Sequence, residues 1–261
     1  MIDVDFNKYF SSQIGEQIPL DAEAKLFCFP YAGAGVSSYH AFCKNLPADV
    51  IPYVVRLPGR EGTRKEAALT NIHEIIVHLA RAIKPALGQS PVFFWGHSMG
   101  ALVAFEVARL LRKEFKITGL IISGHAAPQL PVALKPTPVV EMSDAQFINL
   151  LQSYGGMPQV IFDNPDLLQL MLPQLRADLI ALESYRYVSG APLENDIFCV
   201  NGKSDHMVSL DKVMAWKKQT TGEFSSRWLP GSHFFINEDR LALVKTIRDV
   251  ITNKLVQLDV I

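Results

Sequence analysis

The sequence predicts an α/β fold in which a mostly parallel central sheet is covered by helices on both faces. Short apolar runs rich in β-branched and aromatic residues recur along the chain, as buried strands do. Segments with helical spacing lie between most of these runs, and strands that alternate with helices form parallel sheets. The 261 residues suit one domain over 1–261, and a hydrophobic fraction of 49% allows a large core.

Six of the apolar runs are predicted strands, because each is short and bounded by polar, glycine or proline residues. In chain order they are KLFCF (25–29), VIPYVVRL (50–57), PVFFWG (91–96), ITGLIIS (117–123), DIFCV (196–200) and SSRWLP (225–230). The helical pattern is clearest over 71–87, where isoleucine, leucine and alanine recur at helical spacing. Residues 99–113 and 240–255 predict two more helices.

The alternation of strands and helices stops between about 141 and 187, where no strand is predicted. We expect two or three inserted helices, within a segment of about 130–192. An insertion on a sheet of this kind often covers the crevice in which ligands bind. We therefore predict a lid that shapes a substrate pocket, although extra packing helices would give the same pattern.

The starts of these inserted helices carry local signals. Ser143 and Gln146 resemble a capping box that opens a helix through Leu151. Asn164 followed by proline resembles an N-cap with proline at the first helical position, which opens a second helix reaching about residue 187. Pro173 is expected to break or kink that second helix, because proline cannot donate a backbone hydrogen bond.

A serine lies between two glycines in the sequence GHSMG at 96–100, which fits the pattern G-x-S-x-G. The pattern falls between a predicted strand and a predicted helix, the context that a nucleophile at a sharp strand-to-helix turn requires. The helix N-terminus offers free N–H groups to a developing oxyanion. Ser98 is therefore the predicted nucleophile.

A serine hydroxyl needs a base, and in this arrangement the acid and then the histidine follow the serine along the chain. His233 lies in a loop after the last predicted strand, whereas His206 directly follows Asp205 and aligns poorly with it. Asp205 follows the end of the DIFCV strand, and Asp196 lies at the wrong end of that strand. We predict His233 as base and Asp205 as acid; Asp205 could instead bond its own turn.

Two backbone amides are expected to form an oxyanion hole. One is that of Met99, the residue after the nucleophile. The other is assigned to Ala32, in the small-residue loop PYAGAG at 30–35 that follows the first predicted strand. A nucleotide site in this loop is disfavoured, because the rest of a dinucleotide-binding pattern and a P-loop lysine are missing.

Composition excludes several other classes of protein. A net charge of −1 argues against nucleic-acid binding through a broad basic surface. The three cysteines and seven histidines lack metal-site spacing, so neither a zinc site nor a disulfide framework is expected. The first residues, MIDVDFNKYFSSQ, resemble no secretory signal, and apolar runs of about ten residues are too short to span a bilayer. We expect a cytoplasmic protein.

Several of these stretches together resemble type II thioesterases, which are stand-alone α/β-hydrolases that accompany polyketide synthases and non-ribosomal peptide synthetases. The medium-chain thioesterase of animal fatty acid synthesis is a relative of that group. The resemblance covers about 24–250. It is carried by LFCFPYAGAG (26–35), RLPGRE (56–61), GHSMG (96–100), LRADL (175–179), the G-x-x-D turn (202–205) and PGSHFF (230–235).

The resemblance implies hydrolysis of acyl thioesters from the phosphopantetheine arm of an acyl or peptidyl carrier protein, usually to remove stalled or wrongly primed groups. It implies the triad Ser98, Asp205 and His233, an oxyanion hole at Ala32 and Met99, no cofactor, and an α/β-hydrolase fold with a helical lid. A monomer is expected. The predicted substrate contacts are Tyr31, His97, Phe147, Leu151, Tyr154, Met157 and Phe234.

Two alternatives remain open at this point. A carboxylesterase or lipase would use the same triad on an oxygen ester, because both reactions pass through the same kind of oxyanion. A non-catalytic docking subunit of a synthase would be expected to have lost a triad residue, and this chain retains all three.

Overall fold

A computed structural model describes residues 6–12, 23–131 and 136–259, and within these ranges the chain forms a seven-stranded sheet. The strands are β1 (Phe10–Ser12), β2 (Ala24–Phe29), β3 (Val50–Val55), β4 (Val92–His97), β5 (Gly119–Ser123), β6 (Asp196–Gly202) and β7 (Phe224–Leu229). Their spatial order is β1-β3-β2-β4-β5-β6-β7. β1 runs antiparallel to β3, and the other neighbours pair in parallel, which confirms the predicted mostly parallel sheet.

Helices connect the strands and cover both faces of the sheet. The helices are α1 (Phe6–Tyr9), α2 (Val36–Cys43), α3 (Ile72–Ile83), α4 (Met99–Leu111), α5 (Asp144–Tyr154), α6 (Gln159–Phe162), α7 (Pro165–Ser184), α8 (Leu210–Met214), α9 (Phe235–Glu238) and α10 (Arg240–Asp259). Helices α3 and α4 bury their apolar residues in a core on one face, and α2 and α10 do so on the other. Strands that run parallel have their carboxyl ends at the same edge of the sheet.

Three helices, α5, α6 and α7, lie between β5 and β6, where the sequence predicted two or three. The capping box of Ser143 and Gln146 is present, and Asn164 accepts a hydrogen bond from the Leu167 N–H at 3.2 Å. The inserted helices share an apolar cluster that includes Phe147 and Leu172. We call this segment, residues 136–187, the lid; residues 132–135 of the predicted insertion lie outside the described residues.

Some predicted boundaries were wrong for physical reasons. Helix α7 continues through Pro173 without a break, because Pro173 is on the exposed side while its neighbours anchor the helix in the lid cluster. Helix α3 ends at Ile83 rather than near 87, and a 3₁₀ turn containing Pro85 follows. Strand β1 was not predicted, since three residues are too few to show a strand pattern. Much of the N-terminal stretch MIDVDFNKYFSSQ, for which no secretory signal is predicted, lies outside the described residues.

The 3₁₀ turn at Glu61–Thr63 supports the start of α2. The Glu61 carboxylate accepts hydrogen bonds from the N–H groups of Val36 at 2.9 Å and Ser37 at 3.0 Å. These N–H groups have no partner within the helix, because they belong to its first turn. Burial raises the pKa of Glu61, but these bonds and nearby Arg56 outweigh burial and leave that pKa lowered.

Replacing Glu61 by alanine should lower the free energy of unfolding by about 1–2 kcal/mol, because the first turn of α2 loses a charged acceptor of two of its N–H groups. The matched control is Glu114→Ala, since Glu114 pairs with Lys84 at the surface, where an ion pair contributes about 0–1 kcal/mol. Urea unfolding curves of both variants measure the difference. Equal losses in the two variants would show that Glu61 does not cap the helix.

The three cysteines, Cys28, Cys43 and Cys199, are free and buried. Burial raises the pKa of the Cys28 and Cys199 thiols well above the ordinary value. None of the helices in the described ranges has both the length and the apolar character needed to cross a bilayer. Within the same ranges, His, Cys, Asp and Glu side chains form no cluster of three or more suited to a metal ion.

Candidate active site

Ser98 occupies the sharp turn between β4 and α4. Its backbone has φ +52° and ψ −118°, a conformation that costs energy for any residue except glycine. A Cβ at Gly96 would overlap the Gly100 carbonyl, and a Cβ at Gly100 would overlap the Phe29 carbonyl. The two glycines of GHSMG are therefore required by the close approach of three backbone segments, and Ser98 at the turn remains partly exposed.

His233 lies beside this serine, in the loop after β7. Its Nε2 atom is 3.2 Å from Ser98 Oγ, and its Nδ1 atom is 2.8 Å from Asp205 Oδ2. A carboxylate only accepts hydrogen bonds, so Nδ1 carries the proton of the neutral ring and donates it to Asp205. The Nε2 lone pair then faces the hydroxyl, and it is placed to accept the proton of Ser98.

Asp205 lies just after β6, with its side chain buried against His233. Its other oxygen, Oδ1, accepts hydrogen bonds from the N–H groups of Met207 at 2.8 Å and Val208 at 3.1 Å. Asp205 therefore bonds both its own turn and the histidine, the two roles between which the sequence left a choice. Burial raises the pKa of this carboxyl, but the bonds from His233 and the backbone outweigh burial and leave the pKa lowered. The group is ionised at neutral pH.

Ala32 and Met99 lie in two backbone segments that touch each other. Met99 is the first residue of α4, and Ala32 lies in the turn that follows β2. The missing side chain of Gly100 brings the start of α4 against the carbonyls of Phe29 and Pro30. Within the described chain, the N–H groups of Ala32 and Met99 donate to no protein acceptor. Both are thus available to a negatively charged oxygen near Ser98.

Of the predicted substrate contacts, Phe234 lies beside His233, and Tyr31 packs against Phe234. The Phe234 ring packs edge-on against the His233 ring at 5.1 Å and the Tyr31 ring at 5.6 Å, and both aromatic residues are partly exposed. A Cβ at Gly156 would overlap the Phe234 ring, so the segment that follows α5 lies directly on that ring. The lid therefore reaches the edge of the site, at Phe234.

The other predicted substrate contacts lie in the lid or beneath the site. Phe147 and Leu151 are buried in the lid cluster, where Arg176 lies 4.3 Å from the Phe147 ring, and Tyr154 and Met157 are partly buried beside them. Phe147 has no exposed surface, so its prediction as a substrate contact is corrected: it is a packing residue of the lid. The contacts of the other three with substrate stay predictions.

His97 is also corrected, because it is fully buried behind His233 rather than facing the site. Its Nδ1 atom pairs with Ser123 Oγ at 3.1 Å, and Ser123 Oγ donates to the Gly96 carbonyl at 3.0 Å. Burial, and to a lesser extent the nearby histidines, lower the pKa of His97 well below its ordinary value. Burial also lowers the pKa of His125, to about 4. Both rings are neutral at physiological pH.

Three residues outside the predicted site contact the loop that carries Ala32. Asp178 of α7 accepts a hydrogen bond from the Gly33 N–H, Arg60 donates to the Ala34 carbonyl, and Glu61 caps the following helix. All three belong to the stretches RLPGRE and LRADL. Those stretches carried the family resemblance, but their separation along the chain gave no sign that they meet at this loop.

Comparison with known proteins supplies relatives over most of the chain. A family model described as a thioesterase domain matches residues 24–251. Gramicidin S biosynthesis protein GrsT from Aneurinibacillus migulanus is 36% identical over 241 residues, which cover 92% of each protein. Thioesterase PikA5 from Streptomyces venezuelae is 32% identical over 88% of this chain and 81% of its own length. The solved type II thioesterase BorB from the borrelidin biosynthetic cluster has a TM-score of 0.79 at 28% identity, over 94% of this chain and 96% of BorB.

Proposed function

Since the chain belongs to the thioesterase domain family, we propose that it is a type II thioesterase that hydrolyses acyl thioesters on the phosphopantetheine arm of carrier proteins. The observation that carries the proposal is the series of hydrogen bonds from Asp205 through His233 to Ser98. Ser98 is the nucleophile, His233 the general base and Asp205 the residue that orients the base. The amides of Ala32 and Met99 form the oxyanion hole.

In the first half of the cycle, Ser98 Oγ attacks the thioester carbonyl while its proton passes to His233 Nε2. The carbonyl oxygen becomes an oxyanion that accepts hydrogen bonds from the Ala32 and Met99 amides. When the carbon–sulfur bond breaks, the phosphopantetheine sulfur takes the proton from His233 and leaves as a thiol. The acyl group is now an ester on Ser98.

In the second half, water attacks the acyl-enzyme while His233 Nε2 accepts one of its protons. A second oxyanion forms in the same hole and collapses, breaking the bond between the acyl carbon and Ser98 Oγ. Ser98 recovers its proton from His233, and a free carboxylic acid leaves. Ser98, His233, substrate and water supply every atom and proton that moves, so this cycle calls for neither a metal nor a redox cofactor.

The relatives support the choice of carrier-bound substrates. GrsT is named a gramicidin S biosynthesis protein, and BorB is named a type II thioesterase of a borrelidin biosynthetic cluster. These names support a role beside a polyketide synthase or a non-ribosomal peptide synthetase, with an acyl or peptidyl carrier protein as partner. We propose editing as that role, the removal of stalled or wrongly primed acyl groups.

The preference for a thioester is tested by comparing two substrates with the same acyl group, one a thioester of N-acetylcysteamine and the other its oxygen ester. We expect kcat/KM to be higher for the thioester by about tenfold or more, after correction for uncatalysed hydrolysis. The same test can be made on acyl groups carried by the phosphopantetheine arm of acyl carrier proteins. Loss of the acyl group is then measured by the intact mass of the carrier protein. A higher kcat/KM for the oxygen ester would favour a carboxylesterase instead.

Labelling with a serine-directed fluorophosphonate distinguishes an active thioesterase or carboxylesterase from a non-catalytic docking subunit. The proposed site activates Ser98 through His233, so the folded protein should be labelled on Ser98 and nowhere else, as peptide mapping would show. Absence of labelling in the folded protein would favour the docking subunit.

A further inference from the structure

The lid helix α7 packs on the turn that carries Ala32 and forms hydrogen bonds with it. Asp178 Oδ2 accepts a hydrogen bond from the Gly33 N–H at 2.7 Å, and Gln174 Nε2 donates one to the Gly33 carbonyl at 3.2 Å. Leu175 lies so close to Gly33 that a Cβ there would overlap its side chain. Gln174 and Leu175 lie four and three residues before Asp178, spacings that place each of them beside Asp178 on the helix surface, so this side of α7 is docked on the turn.

A buried arginine fixes the carboxylate that makes the first of these bonds. Arg60 Nη2 lies 2.5 Å from Asp178 Oδ1, and Arg60 Nη1 donates to the Ala34 carbonyl at 2.9 Å. Only 3% of Arg60 and 1% of Asp178 are exposed. Charge-assisted bonds that are shielded from water hold their geometry firmly. Asp178 therefore has one oxygen for Arg60 and the other for the turn.

These bonds hold the turn and leave the Ala32 N–H without a partner among the described residues. The Ala34 N–H donates to the Tyr31 carbonyl at 3.0 Å, and Gly33 adopts φ +80°. The Tyr31 carbonyl and the Ala32 N–H belong to the same planar peptide group, so fixing one fixes the direction of the other. In the described chain no protein group accepts the Ala32 N–H.

We infer that Asp178 is a positioning residue for the oxyanion hole, and that the Ala32 donor is aligned only while α7 is docked on the turn. This inference rests on the proposed function, because it assigns the Ala32 amide to the oxyanion. Asp178 does not touch the reacting atoms; it acts through the Gly33 N–H. Movement of the lid would thus alter the chemistry of the site as well as access to it.

A purely structural role for the buried ion pair makes different predictions. Loss of such a pair would destabilise the fold and lower the fraction of active protein, without a specific effect on the transition state. Misalignment of an oxyanion donor would instead lower kcat and leave KM nearly unchanged, because the donor matters most when the oxygen is charged.

The test replaces Asp178 by asparagine and measures kcat and KM with a hexanoyl thioester of N-acetylcysteamine, on folded protein quantified by circular dichroism. An asparagine can accept from Gly33 or from Arg60 but cannot serve both as the carboxylate does. We expect kcat to fall about tenfold to a hundredfold, with KM within about twofold. Inhibition by phenylboronic acid, a tetrahedral analogue formed on Ser98, should weaken by a similar factor.

The matched control is Asp144→Asn. Asp144 also forms an ion pair with α7, through Arg176 at 2.7 Å, but its side chain is 78% exposed and does not contact the turn. The same exchange of side chain should therefore leave kcat and boronate inhibition within about twofold of wild type. Gln174→Ala is the milder second variant, since it removes one bond to Gly33 and keeps the buried ion pair.

The outcomes separate this inference from the proposed function. If Asp178→Asn folds with wild-type kcat, or loses activity through KM alone, the inference is overturned. If that variant does not fold, Gln174→Ala decides: a fall of about threefold in kcat with a matching loss of boronate inhibition supports the inference, and no change overturns it. Failure of wild type to hydrolyse thioesters, or full activity after loss of Ser98, would overturn the proposed function itself, whatever the lid variants do.

Discussion

Replacing Ser98 by alanine is expected to lower kcat for thioester hydrolysis by roughly 10⁴-fold to 10⁶-fold, because the residues of the proposed triad act as a unit and the remaining groups cannot form an acyl-enzyme. The fold should survive. The hydroxyl is a small, partly exposed group at a turn, and the backbone strain at φ +52° is the same for alanine as for serine. Thermal unfolding midpoints within a few degrees of each other would show this.

The measurement is kcat with an acyl thioester of N-acetylcysteamine, together with labelling by a fluorophosphonate. Ser225→Ala is the matched control, since Ser225 is exposed on β7 and its loss should change neither readout. Hydrolysis at near wild-type rate by the folded Ser98→Ala protein would exclude Ser98 as the nucleophile. Labelling of the Ser98→Ala protein would mean that another serine is activated.

Replacing Asp205 by asparagine should lower kcat by roughly 10³-fold to 10⁴-fold while the protein remains folded. The amide oxygen of asparagine can still accept from the N–H groups of Met207 and Val208, so the turn after β6 is preserved. The amide NH₂ then faces His233 Nδ1 and favours the tautomer whose proton is on Nε2. That tautomer cannot accept the proton of Ser98.

The control for this variant is Asp211→Asn, because Asp211 is exposed on α8 and makes no contact with His233. Steady-state kinetics over a range of pH, with circular dichroism of each sample, would measure the loss. A loss below about tenfold in the Asp205→Asn protein would mean that another group orients His233.

Much of the fold was predictable because the central strands β2, β3, β4 and β5 are short apolar runs that are buried along their whole length. The runs at β2, β4 and β6 were located to within a residue or two. β1 has three residues and takes its place by pairing with β3, and such a partner cannot be read from local pattern. The helix is not broken at Pro173, because apolar anchors on both sides of the proline hold it, and such anchors cannot be told from the local pattern.

The candidate site was predictable where local chain geometry dictates it. Ser98, Asp205 and His233 each follow a strand of a parallel sheet, and the carboxyl ends of such strands meet at one edge. Arg60 and Asp178 are separated by 118 residues, so their pairing requires the lid to be folded onto the sheet. His97 and Phe147 were misassigned because the sequence does not tell a buried ring from one that faces a pocket.

The buried cysteines bear on how turnover can be followed. A thiol reacts with electrophilic disulfides and alkylating agents as its thiolate, so a thiol that is both inaccessible and raised in pKa is nearly inert. Cys28 and Cys199 are buried thiols with a raised pKa, and Cys43 is buried, whereas the proposed reaction releases a new, accessible thiol at every cycle. A chromogenic disulfide added in excess would therefore record product release continuously against a low protein background, and the native enzyme would tolerate the dye.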